Sequence, residues 1–351
     1  VIQSIQYLRF LAAALVVLYH GTQSLSKDLH STLFETWHAG SRGVDLFFVI
    51  SGFIILHVTE RSNASRGAFL LRRMTRVAPL YHAATLAMLA VALVAPSLLA
   101  TTRIEPGHVI ASLLFIPVDH PVAFSAFPLL PVGWTLNAEA QFYVLFALLL
   151  PLAPRARAVG VGGLILGLVL VGIALRPENQ TLSSWTAPIL IEFVFGLILG
   201  RLWHDLPPSR RSPGGLAAAL ALLGVGVAGL VLVPGEATSG VLLRDLRWLL
   251  AGLPAMAVVG GLLLLDRQGR IPTVPALRLL GDASYSLYIC HFFVIGLLRA
   301  VWPRAWLGTW TSEAGFLAAA LALSVVAALA THLAFEKPIG RMGARRRAVA
   351  A

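Results

Sequence analysis

The chain has 351 residues, 58% of them hydrophobic and only 12% charged, and carries a formal net charge of +11. With a mean hydropathy of +0.81, this composition excludes an ordinary soluble globular domain and predicts a polytopic membrane protein. The single cysteine, Cys290, excludes an intramolecular disulfide and a cysteine metal cluster. The arginine excess fits loop topology and attraction to anionic lipid, so nucleic-acid binding is not needed to explain it.

In chain order, runs long enough to cross the hydrocarbon core lie at 5–22, 43–59, 77–100, 134–153, 157–175, 187–203, 214–234, 244–265, 282–300 and 314–334. They predict an all-α fold, a polytopic integral membrane helical bundle of about ten transmembrane helices. One membrane domain at 1–340 is expected to end in a basic tail at 341–351. The first run contains Arg9 and lacks a small-residue cleavage pattern, so it reads as a retained span. Between the third and fourth runs, Pro117, Pro121, Pro128 and Pro131 interrupt a long connection whose apolar piece VIASLLFI is too short to span. Loops carrying Arg61, Arg66, Arg155, Arg201, Arg210, Arg267, Lys337 and Arg345–Arg347 fall on one side. Lys27, Arg42, Arg103, Arg176, Arg244, Arg247, Arg299 and Arg304 form a sparser set on the other. That asymmetry predicts that both termini are cytoplasmic.

Arg9 and His20 share the first run, eleven residues apart. Eleven steps of about 100° return nearly to the starting direction, so the two side chains lie on one stripe, roughly 16 Å apart along the axis. Intramembrane ionisable groups are costly and face a bundle interior or a cavity, which makes this stripe the leading functional candidate. Asp45, Glu139 and Glu192 are predicted at depths similar to His20, with His291 near the middle of the ninth run. A histidine with a carboxylate to orient it forms a general base able to take a proton from a hydroxyl. On the cytoplasmic side, Arg72, Arg73 and Arg76 stand where the third helix is predicted to begin, and arginines with helix N-terminal amides suit phosphate. No HExxH-like spacing is present, and no metal site is expected.

Six separated blocks then agree in order: Arg9 to His20, GVDLFFVISGF at 43–53, RRMTRVAPLY at 72–81, GWTLNAEAQFY at 133–143, FVFGLILG at 193–200 and GDASYSLYICHF at 281–292. Together they resemble acyltransferase family 3, and the second and fourth blocks are similar to its exopolysaccharide-production acetyltransferase branch. The resemblance implies a multi-pass protein of the bacterial inner (cytoplasmic) membrane. It would transfer an acyl group, most often acetyl from acetyl-CoA, to a hydroxyl of a polysaccharide or lipid-linked glycan. It also implies His20 as catalytic histidine with Asp45 and Glu139 as its acidic partners, and Arg9, Arg72, Arg73 and Arg76 as coenzyme contacts. Tyr285 and His291 match the ninth-helix block; stabilising the tetrahedral oxyanion needs donors, for which Trp134, Asn137, Tyr143 and Tyr285 are equal candidates, and these with His291 are the expected substrate contacts. The family often has two adjacent acids in the fourth-helix block, but here Glu139 is followed by Ala140, so a second acid cannot be essential. Direct attack by the sugar and a covalent acyl-histidine route both stay open, as does the oligomeric state. A polytopic transporter of a glycan or small anion, or a scaffold of a polysaccharide-synthesis complex, is the alternative that composition alone allows.

Overall fold

A computed structural model describes the chain except for residues 1, 32, 34–35, 97–102, 123–124, 208–210, 233–244 and 342–351. The predicted tail beyond Arg341 and the loop residues Arg210 and Arg244 therefore lie outside the described residues. Within them all regular structure is helical, and no strand is present. The α-helices are α1 Gln3–Gln23, α2 Gly43–Thr59, α3 Arg66–Val94, α4 Pro106–Leu113, α5 Trp134–Leu148, α6 Pro154–Leu175 and α7 Gln180–Trp185. They continue with α8 Ile191–Asp205, α9 Pro213–Leu232, α10 Leu253–Arg267, α11 Pro275–Asp282, α12 Ser284–Val301 and α13 Trp310–Thr331.

Among the described residues, 8 helical runs are long and apolar enough to cross a membrane. The other two predicted spans are also helices, α1 with 21 residues and α5 with 15. At 1.5 Å per residue α1 reaches about 31 Å and α5 about 22 Å, so of these two only α5 falls short of a roughly 30 Å hydrocarbon core.

The chain divides into two compact units, residues 1–62 with 188–329, and residues 63–187 with 330–351. In the first unit, α2 and α8 touch backbone to backbone. A Cβ on Gly52 would sit 2.2 Å from the Phe193 carbonyl oxygen, and one on Gly196 would sit 2.1 Å from that of Val49. Lipid tails are as apolar as leucine, so helix association in a bilayer comes from such close packing rather than from hydrophobic burial. The start of α1 is pinned by Ser4, whose backbone N–H and hydroxyl each donate to Asp266 at 2.8 Å, and by Tyr7, which donates to the Pro272 carbonyl at 2.7 Å. Arg267 closes the far end of α8, donating to the carbonyls of Trp203, Leu206 and Pro207 that no helical N–H reaches. An inner cluster of Ala13, Val17, Leu287, Ile295 and Phe316 joins α1, α12 and α13.

In the second unit, α3 begins earlier than hydropathy predicts. Ser65 caps it by accepting from the Ala68 N–H at 3.2 Å, so the helix starts at Arg66, well before residue 77. VIASLLFI forms the end of α4 and the turn after it, and this segment docks on α3. The Tyr81 hydroxyl donates to the Ser112 carbonyl at 3.1 Å, and the His82 ring bonds the Leu113 carbonyl at 2.8 Å.

Candidate active site

Pinning at its first turns fixes the direction of α1, and α11 repeats the pinning: a Cβ on Gly281 would meet the Gln6 carbonyl oxygen at 2.2 Å. From that crossing α12 runs alongside α1 and brings His291 to His20, with His291 Nε2 2.9 Å from His20 Nδ1. The rings are nearly parallel, 24° between planes, with centroids 5.0 Å apart. His291 is wholly buried, while His20 keeps part of its surface exposed.

The His291 partners determine which nitrogens carry protons. His291 Nδ1 faces the Leu287 carbonyl oxygen at 3.2 Å. A carbonyl only accepts, so in the neutral ring the proton sits on Nδ1 and Nε2 is left to accept. The bond to His20 then uses the His20 Nδ1 proton, although the Val16 carbonyl also lies within hydrogen-bonding reach of the ring, and in that tautomer His20 Nε2 carries the lone pair a general base requires. The group orienting His20 is thus a histidine, where the sequence predicts a carboxylate. His291, expected to touch substrate, instead faces the catalytic candidate from a closed interior.

Asp45 is engaged elsewhere. Fully buried in the first turn of α2, it accepts from Arg247 Nε at 3.1 Å and Nη2 at 2.9 Å in a bidentate pair. Glu192, in the first turn of α8, and Arg42, just before α2, are also buried and stand within electrostatic reach of the pair. Glu192 shares a carboxyl–carboxyl hydrogen bond with Asp45, whereas no Arg42 guanidinium nitrogen has a hydrogen-bond partner among the described residues. The Gly52–Gly196 contact explains the convergence, because it fixes the register in which the acid-bearing first turns of α2 and α8 meet. Helix N-termini also favour carboxylates there. The sequence reads Arg42 and Arg247 as outer-loop charges; the structure places both in this cluster. Opposite charges just before or within a first helical turn were the available signal.

The remaining predicted residues separate. Arg9 is buried and donates to Gln6 Oε1 at 3.1 Å. Tyr285, in the first turn of α12, is partly buried. In the second unit, Arg72 and Arg76 line one cavity together with Lys337, read from the sequence as a loop charge, and with His332 and Phe335, which the sequence does not mark. Arg73, about 100° round the helix, points away from that cavity. Its guanidinium lies 5.8 Å over the Phe69 ring and within electrostatic reach of Glu139 and Tyr143. The arginines lie six or more residues inside α3, so its N-terminal amides cannot assist them as expected. Glu139 accepts a hydrogen bond from the Tyr143 hydroxyl one turn on. Asn137 is buried, with neither amide atom partnered among the described residues, and Trp134 opens the same helix, α5. No group of three His, Cys, Asp or Glu able to hold a metal occurs among the described residues.

Comparison with known proteins is consistent across the chain. The chain is 35% identical to Exopolysaccharide production protein ExoZ of Rhizobium meliloti (strain 1021) over 315 residues, 89% of this chain and 93% of the relative. It is 26% identical to Acyltransferase MdmB of Streptomyces mycarofaciens over 383 aligned positions, 99% of this chain and 94% of the relative. No solved structure matches it. Residues 2–329 match the acyltransferase domain family, a match that runs through every helix carrying the histidine pair and the buried ion cluster. This protein therefore belongs to that family and is an acyltransferase.

Proposed function

We propose that the chain, lying in the bacterial inner membrane with both termini cytoplasmic, transfers an acetyl group from acetyl-CoA to a hydroxyl of an exopolysaccharide or other envelope glycan. The observation that carries this is the His20–His291 pair at 2.9 Å, which supplies a neutral imidazole with a free Nε2. The printed name of the Rhizobium relative supports a polysaccharide acceptor. Acyl-CoA, when bound, supplies a thioester carbonyl as the electrophile, and the cations Arg72 and Arg76 suit its phosphates.

His20 Nε2 takes the proton of the acceptor hydroxyl as its oxygen bonds to the acyl carbon. The carbon–sulfur bond breaks, and His20 returns the proton to the departing thiolate, so each turnover yields one ester and one thiol. During the step His20 carries positive charge, and His291 Nε2 stabilises it by accepting from Nδ1. The buried Asp45–Arg247 pair with Glu192 and Arg42 holds the first turns of α2 and α8 together.

Proton NMR of the purified polymer tests the reading, using cells without the protein and cells complemented with wild type or His20→Ala at matched membrane abundance. Loss of one ester signal, restored by wild type alone, is the expected result. An unchanged spectrum without the protein removes this acceptor, and rescue by His20→Ala removes the mechanism.

A further inference from the structure

The first unit holds a second pair of imidazoles that the mechanism does not use. His57 lies in the last turn of α2 and His204 in the last turn of α8, with His57 Nδ1 3.2 Å from His204 Nε2 and ring centroids 5.1 Å apart. A straight hydrogen bond of that length would hold the centroids about 5.5 Å apart. Two imidazoles ligating one tetrahedral ion instead place their nitrogens about 3.3 Å and their centroids about 5.2 Å apart. The pair follows the second spacing. Its rings are tilted off the line joining the nitrogens, as ligands aimed at one ion must be. The His20–His291 nitrogens, at 2.9 Å, keep the spacing of an ordinary hydrogen bond.

The surroundings also favour a cation. Both histidines sit at helix C-termini, where unsatisfied carbonyls and the helix dipole draw positive charge. Glu60 and Asp205 stand within electrostatic reach of His204, and Glu60 also of His57; Arg61 and Arg201 oppose them, with Arg201 bound to both carboxylates. The His57 ring stacks on Phe53 with 9° between planes, and Trp203 meets it edge-on, so its orientation is fixed by packing. The close contact of α2 with α8 extends to this end, where a Cβ on Gly200 would meet Leu56 at 2.9 Å. Two ligands held this way need only a change of tautomer. The proton between the rings moves to an outer nitrogen, and both facing lone pairs are then available.

We infer that His57 and His204 bind a divalent transition-metal ion of the zinc class, with water in the remaining positions. Imidazole suits zinc, copper and nickel, whereas magnesium and calcium take oxygen ligands. Among the described residues no third His, Cys, Asp or Glu completes a protein cage. The site is therefore open and binds more weakly than a closed structural zinc centre, with Glu60 and Asp205 contributing charge rather than ligands. The ion ties α2 to α8 at the ends opposite Asp45 and Glu192, and the inference does not depend on the acyl-transfer reading.

The test uses the full chain in phosphatidylcholine nanodiscs, free of any histidine tag and stripped with chelator, with zinc chloride as the calorimetric probe. Wild type is expected to bind one equivalent and to unfold at a higher temperature as free zinc rises, because an ion that binds only the folded chain stabilises it by mass action. Magnesium chloride should do neither. His57→Gln and His204→Gln should each weaken zinc binding by more than about tenfold, since even an outer-shell partner is worth that much. Unfolding of both variants at the wild-type temperature without zinc shows that they fold. His20→Ala should leave the zinc affinity unchanged. Spin resonance of the copper(II) form reads the ligands in wild type without any substitution, and splitting by two nitrogens is expected. No zinc binding by wild type, or one equivalent retained in both glutamine variants, overturns the inference. So does a copper spectrum with oxygen ligands only, or zinc binding lost in His20→Ala in place of the glutamine variants.

Discussion

The first unit contains two histidine pairs that are nearly identical as geometry and different as chemistry. His20 and His291 meet at 2.9 Å and His57 and His204 at 3.2 Å, each with 24° between ring planes. Around the first pair the second ring is wholly buried and bonded to a main-chain carbonyl. Around the second, Glu60, Arg61, Arg201 and Asp205 stand within electrostatic reach, and Arg201 binds Glu60 with both oxygens at 2.8 and 2.9 Å. A carbonyl anchor enforces one tautomer, whereas a shell of charges of both signs leaves either ring able to hold the shared proton. Two imidazoles in contact are therefore not a site in themselves; the group behind the second ring decides.

His20→Ala should abolish that distinction most completely, lowering acyl transfer by about 10²–10⁴-fold with protein level unchanged. A single-turnover assay with radiolabelled acetyl donor measures it. His291→Leu removes only the anchor, and kcat is expected to fall about 10²-fold while KM for the donor holds, short of the roughly 10⁴-fold lost with the charged orienting member of a catalytic triad because His291 is neutral. In His291→Gln a side-chain oxygen again accepts from His20 Nδ1, and activity should return to within about tenfold of wild type. Equal losses in the Leu and Gln variants would mean that His291 acts through packing alone.

Asp45→Ala should act on stability first. Leaving Arg247 unpaired is expected to cost about 3 kcal/mol, toward the lower end for a broken buried pair because the Arg247 side chain is 20% exposed. Thermal unfolding in detergent reads this, and a normal midpoint with lost turnover would make Asp45 catalytic instead. The smallest effect belongs to His57→Gln, with activity within about twofold of wild type, as for most substitutions at partly exposed positions away from the chemistry. A loss near that of His291→Leu would erase the contrast between the two pairs.

Much of this architecture could be read along the chain. Each of the ten predicted spans corresponds to a helix, because twenty apolar residues must hydrogen-bond internally in lipid wherever they occur. The expensive polarity of His20, Asp45, Glu139 and His291 was visible for the same reason. Partnership was not. His20 and His291 are separated by 271 positions and Asp45 and Arg247 by 202, and the pairings depend on glycine contacts whose depth hydropathy does not encode. The arginine triplet shows the opposite limit. Its spacing already separated Arg73 from Arg72 and Arg76 by helical period, yet the helix start at Ser65 was hidden because a polar first turn looks like loop to a hydropathy window.

The hydrogen-bonded row from His20 through His291 ends on the Leu287 carbonyl. An amide oxygen does not take up a proton in neutral water, so this row has one open end. If His20 takes a proton at Nε2, this row offers it no further acceptor beyond the Leu287 carbonyl. A catalyst wired in this way is a cul-de-sac for protons. In the proposed mechanism it lends one to the leaving thiolate within the same turnover.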